Sequence, residues 1–165
     1  MRLSTRQLLC ADRGDYGRQA FSWLGFSIMN PWQANFWSTE INCVDDEHDR
    51  LHEMLAALSF VILNSTNQTL SLEALGVMRN RFNEHCKFEE SIAVGSGLGM
   101  EDILQHDHAE LLSLLEDARI GFCNSDISAA RAAVERFTQD LMRHDEVVDL
   151  PLFRLISSSG VALAL

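Results

Sequence analysis

Six side chains have the types and spacing to hold metal. His48, His85, Glu89, His108, His144 and Asp149 offer imidazole nitrogen and carboxylate oxygen, a donor mixture that suits iron, manganese or zinc. His85 and Glu89 are four residues apart, so on a helix they share one face. That face is also apolar, and a buried glutamate beside a buried histidine is costly unless it is paired or metal-bound. His48, His108 and His144 each sit midway along an apolar stripe of their own segment. One inward histidine is most simply a satisfied core residue. Four of them, one per segment, with a glutamate in their midst, point to a shared site. Asp149 is the least regular member. It follows His144 by five residues, about 140° around an ideal helix, which by itself marks a surface position. Pro151 offers no N–H to Val147 and should disturb the helix end, which lets the Asp149 carboxylate swing inward.

The remaining histidines and nearby acids read differently. His52, one turn beyond His48, reads as a packed or supporting residue rather than a ligand. His106 is about 160° from His108 and faces solvent on an ideal helix. Asp45, Asp46, Glu47 and Asp49 read as a solvated first turn that complements the helix dipole.

Four amphipathic segments position these residues. The first covers about 44–63, with Val44, His48, Leu51, Leu55, Leu58 and Ile62 on one stripe. The second covers about 71–94, aligns Leu75, Met78, Phe82, His85, Glu89 and Ile92, and breaks at Gly95-Ser96-Gly97. The third covers about 101–120, aligns Leu104, His108, Leu111, Leu115 and Ala118, and closes at Gly121. The fourth starts from a cap at Asp126 or Ser128 and carries Ala130, Val134, Phe137, Leu141, His144 and Val148. Matched amphipathic helices with short connections imply an all-α, up-down-up-down four-helix bundle, a fold that holds metals in its core. The bundle is expected over residues 37–156, with an N-terminal arm over 1–36 and a tail over 157–165. The arm contains Gly14, Gly17, Gly25 and Pro31, and its apolar stretch from Phe21 to Met29 is suited to covering one end of the bundle.

At 165 residues the chain fits one domain with a substantial core. A formal net charge of −11 argues against nucleic acid or an anionic membrane surface as partner. Cys10, Cys43, Cys86 and Cys123 are isolated and read as reduced core thiols of a cytoplasmic protein. No apolar run approaches the ~20 residues that span a bilayer. Acidic residues among the first 19 argue against a signal peptide, and Leu8-Leu9-Cys10 is a poor lipoprotein site for the same reason.

These motifs resemble the hemerythrins, the bacterial ones especially. Trp37 ahead of Ile41-Asn42-Cys43-Val44-Asp45-Asp46-Glu47-His48-Asp49-Arg50-Leu51 is similar to the family's opening pattern, in which a tryptophan precedes Ile-Asp-x-x-His-x-x-Leu. His85-Cys86-Lys87-Phe88-Glu89-Glu90 is similar to His-Phe-x-x-Glu-Glu, and His144 with Asp149 to His-x-x-x-x-Asp. The resemblance spans Trp37 to about Phe153. It implies two non-haem iron ions, His48, His85, His108 and His144 as ligands, and Glu89 and Asp149 as bridging carboxylates. The family's third helix carries two ligand histidines four residues apart. At the corresponding places this chain has Leu104 and His108. The tryptophan usually found just before the fourth-helix histidine is also absent. The resemblance thus implies six of seven protein ligands, with His48 and His85 on one iron and His108 and His144 on the other.

The expected activity is binding or sensing of dioxygen or a related small ligand, with any sensing output passing through a partner protein. An oxidase or peroxidase-type enzyme is the alternative, using a coordination position opened by Leu104 that water, His106 or substrate would fill. A structural bundle with a decayed site is the third reading.

Overall fold

The computed structural model describes residues 37–160. The arm over 1–36, including Cys10 and the apolar stretch from Phe21 to Met29, lies outside the described residues, as does 161–165. The described chain is helical, with no strand among the described residues: α1 (Asn42–Asn64), α2 (Gln68–Ser96), α3 (Glu101–Cys123), α4 (Ile127–His144), a π turn (Asp145–Asp149) and α5 (Leu150–Ser159). The all-α expectation holds. α1 packs on α2, α2 on α3 and α3 on α4, and α1 also meets α4. The connections at 65–67, 97–100 and 124–126 are short, which is consistent with antiparallel neighbours in an up-down-up-down bundle.

Local chemistry sets the helix ends. Asp45 is not a solvated member of the first turn, as its sequence context implies. Its carboxylate accepts from Ser38 Oγ at 2.8 Å, Thr39 N at 2.9 Å and Thr39 Oγ1 at 2.7 Å, and so fixes the entry to α1. The Asn67 side chain caps α2 by accepting from Leu70 N. Gly97, at φ 67°, ends α2 in the left-handed conformation that glycine adopts without steric cost. Asp126 caps α4 through Ala129 N at 3.0 Å.

Several boundaries differ from the sequence reading: α2 starts at Gln68 and runs through Gly95 and Ser96, and α5 extends past residue 156 into the expected tail. Gly121 does not close α3, which continues to Cys123. A Cβ at Gly121 would lie 2.8 Å from Ala130 N of α4, so the glycine permits close contact between two helices. Nor does Pro151 end the last helix. It sits in the first turn of α5, where a missing N–H is tolerated, and the helix runs on to Ser159. The thiols also differ. Cys86 is buried, but Cys43 is half-buried and Cys123 exposed, so the core-thiol reading holds only for Cys86 among the described cysteines.

The apolar core has two parts. The larger includes Leu51, Leu55, Phe82, Leu111, Phe137 and Leu141, with Phe82 and Phe137 edge-to-face at 5.2 Å between ring centroids. The smaller includes Val44, Ile92, Leu104, Leu152, Phe153 and Ile156. No helix among the described residues is long and apolar enough to cross a membrane.

Candidate metal centre

A polar layer separates the two apolar clusters. On α1 the buried order is Val44, His48, Leu51, and on α3 it is Leu104, His108, Leu111. On α2, His85 and Glu89 fall between Phe82 and Ile92. On the α4–α5 rod, His144 and Asp149 fall between Leu141 and Leu152. All six sequence-predicted ligands are therefore buried at one level of the molecule.

Their inward atoms converge. His48 Nε2 lies 3.0 Å from Glu89 Oε1 and 3.5 Å from Asp149 Oδ2. His85 Nε2 is 3.2 Å and His108 Nε2 is 3.1 Å from Glu89 Oε2, and His144 Nε2 is 3.0 Å from Asp149 Oδ1. Two four-donor groups result: His48, His85, Glu89 and Asp149; and Glu89, His108, His144 and Asp149. Within each group the donor atoms lie within 4.8 Å of one another, and both carboxylates belong to both groups.

The two carboxylates reach this place by different routes. His85 and Glu89 use the ordinary α-helical spacing of four. His144 and Asp149 are five apart and would diverge on an α-helix. The π turn between them closes with Leu150 N–H donating to Asp145 O, five residues back. Residues five apart are thereby brought to one face. Asp149 turns inward by this widened turn, not by fraying at Pro151.

The arrangement fits metal better than it fits hydrogen bonding. His85 Nε2, His144 Nε2, Glu89 Oε1 and Asp149 Oδ1 are buried and make no hydrogen bond, although each has an oppositely polar atom within 3.2 Å. The distances are short, yet these contacts do not meet hydrogen-bond geometry. Buried polar groups are normally satisfied, and a cation between them would satisfy these. The nitrogen and oxygen donors suit iron, manganese or zinc.

Electrostatics agree. Burial alone would lower the His48 imidazole, yet Asp149 and Glu89 hold it well above the usual histidine range. Against the same burial penalty, Glu89 and Glu47 raise His85, and Asp149 and Glu89 raise His144 to about 9. Burial pushes Glu89 up, but His85, His108 and His48 hold it well below the usual carboxylate range. Cations are thus favoured on the nitrogens, and protons and metal ions compete for them.

No protein-family model, curated protein or solved structure matches the chain.

An outer set of acids surrounds the candidate ligands. Glu47 Oε1 of α1 is 3.7 Å from His85 Nδ1 of α2 and is itself held by Arg81 at 2.5 Å. Glu90 of α2 accepts from His108 Nδ1 of α3 at 2.9 Å. Asp107 of α3 lies 3.5 Å from His144 Nδ1 of α4. Asp145 of the π turn lies 2.5 Å from His52 Nε2 of α1. His48 Nδ1 instead donates to Val44 O at 2.9 Å. Each acid is the immediate chain neighbour of one ligand and contacts a histidine on the next helix, so the four contacts form a ring around the bundle. Such partners fix a ligand's orientation and tautomer.

The sequence reading missed this ring, assigning Glu47 to solvent and giving Glu90, Asp107 and Asp145 no role. Adjacency to a ligand was the available signal. His52 lies outside both four-donor groups, with Asp145 as its partner. His106 is on the surface beside Glu110, 74% exposed, and takes no part in the site.

Proposed function

We propose that the chain is a non-haem di-iron protein that takes up dioxygen or a related small ligand. The observation that carries this reading is the pair of four-donor groups sharing Glu89 and Asp149. With Glu89 and Asp149 common to both groups, His48 and His85 would hold one metal ion and His108 and His144 a second, each with help from the two carboxylates. The hemerythrin-like motifs favour iron among the metals that such donors accept. The chemistry supplied by such a pair is electron donation to a small diatomic ligand. The chain's own part is to orient the imidazoles through their Nδ1 partners and to keep water out. Leu55, Phe82, Ile92, Leu111 and Phe137, all buried, provide that apolar surround.

The test is elemental analysis after anaerobic iron loading, with visible spectra before and after exposure to air. About two irons per chain and an air-dependent visible band support the proposal. Retention of one metal or none favours the decayed-site reading.

One observation favours a second reading, an oxidase or peroxidase-type enzyme. Each group supplies only four protein donors, so both metals would keep open positions, where chemistry takes place. Leu104, where the resemblance places a further histidine, is fully buried among Val44, Ile92 and Phe153. Steady turnover of hydrogen peroxide with an electron donor, suppressed by Leu104→His, would support the enzyme reading. Absence of turnover favours simple uptake.

A further inference from the structure

The contact between His52 and Asp145 differs from the other three outer contacts. Glu47, Glu90 and Asp107 all face ligand histidines, and all are partly exposed. Asp145 is completely buried and faces a histidine that is not a ligand. Burying a carboxylate is costly unless it is well paired. Asp145 also opens the π turn, and its carbonyl accepts the bond from Leu150 N that closes that turn. π turns are rare, single-turn features, so something must favour this one over a regular helix. His52 of α1 reaches Asp145 from outside its own rod through a short polar contact. His52 lies one turn beyond His48.

The geometry points to His52 and Asp145 as positioning residues: their contact clasps α1 to the π turn and holds Asp149 and His144 at the metal centre. The His52 N–H donates to the Asp145 carboxylate and anchors the first residue of the widened turn. The turn in turn sets the five-residue step that aims Asp149 inward. Because α1 also carries His48, the clasp fixes the distance between His48 on one side of the centre and Asp149 on the other. The clasp closes the outer ring between its last helix and its first. Neither residue touches metal in this scheme.

For its effect on metal, the inference rests on the metal-centre reading, so the test has two arms. In the first, apo-protein is titrated with cobalt(II), followed by its visible absorption. The wild type is expected to take up two ions. His52→Ala should weaken the second by about 10–100-fold, the usual effect of losing an outer partner. His52→Gln keeps an N–H donor and should restore most of the affinity and the wild-type absorption band. Ile62→Ala, a cavity in the larger cluster, should lower Tm without moving the affinity.

In the second arm, amide hydrogen exchange is read on apo-protein, without metal. His52→Ala should speed exchange at Val148, Asp149 and Leu150 roughly tenfold beyond any uniform change, and His52→Gln should reverse it. Unchanged exchange at these three amides overturns the clasp, whatever the cobalt result. Unchanged cobalt affinity with faster exchange overturns its positioning role. If the wild type binds neither cobalt nor iron, the metal reading fails and the exchange result alone decides the clasp.

Discussion

The α2 and α4 contributions to the centre are chemically alike and structurally opposite. Each supplies one imidazole and one carboxylate from a single helical rod. On α2 the two residues are four apart, the carboxylate is the longer glutamate, and the helix is undistorted. On α4 they are five apart, the carboxylate is the shorter aspartate, and the helix widens into a π turn between them. One rod uses a longer side chain on a regular backbone; the other uses a shorter side chain on a displaced backbone. The comparison teaches that a binding face can be written in side-chain length or in helix geometry. Only the first leaves the helical period intact.

The sharpest way to break the equivalence is to remove each carboxylate. Glu89→Ala and Asp149→Ala should both release metal, because each residue serves both donor groups. Glu89→Ala should also leave three imidazoles without their shared counter-charge. A loss of about 3–5 kcal/mol is expected at neutral pH, typical of breaking a buried ion pair. Metal analysis and denaturant titration read both effects. Full metal retention by either variant would remove that residue from the ligand set.

A subtler variant tests whether the π turn is equivalent to an inserted residue. Val147 is 60% exposed and lies within the turn. Removing it should give a regular helix from α4 into α5 and place the aspartate four residues after His144. There the shorter side chain falls short of the centre, so metal affinity should drop. Combining the removal with Asp149→Glu rebuilds the arrangement of α2 and should recover much of the affinity. Failure of the combined variant to exceed the single one, in a cobalt titration, would show that the turn does more than set spacing.

A third comparison lies within α3. His108 is 2% exposed and bonded to Glu89 and Glu90, whereas His106 is on the surface. His108→Ala should reduce metal content and Tm. His106→Ala should change stability by no more than about 0.5 kcal/mol. The reverse order would mean that the register of α3 is wrong.

The smallest effect is on pH dependence. His48, His85 and His144 are raised in the folded metal-free protein. Their stabilisation is fully present below the ordinary histidine value and is lost as pH rises through the folded values, about 9 for His144. Glu89 is depressed, so its contribution is present above the ordinary carboxylate value and lost in acid. Apo-protein Tm should therefore fall from neutral pH toward about 9, the value reached by His144. Bound metal replaces the protons, so the loaded protein should not follow that fall. Parallel curves for the two forms would count against metal binding at these nitrogens.

Much of this was readable in the residues. The stripes containing His48, His85, Glu89 and His108 follow an α-helical period, and the structure buries all four at one level. Asp149 was not readable from period alone, because a π turn depends on tertiary packing and has no simple pattern in sequence. Gly121 misled as a helix stop because its role is close contact with Ala130 on the next helix, which the local sequence pattern does not reveal. The outer acids were hidden by their composition. Glu47, Glu90 and Asp107 look like ordinary surface charges until the neighbouring helix places a histidine against each.

The polar layer across the middle of the bundle has a consequence for cooperativity. A continuous apolar core couples every helix to every other, so such a domain opens all at once. Here the two apolar clusters are divided by charged side chains. Without metal, the end built from Val44, Ile92, Leu104, Phe153 and Ile156 has its own small core and can melt before the rest. With metal, ligands from α1, α2, α3 and the α4–α5 rod become cross-linked at the dividing line. Loading the centre should thus merge two calorimetric transitions into one, making the metal the element that turns two weakly linked half-cores into a single folding unit.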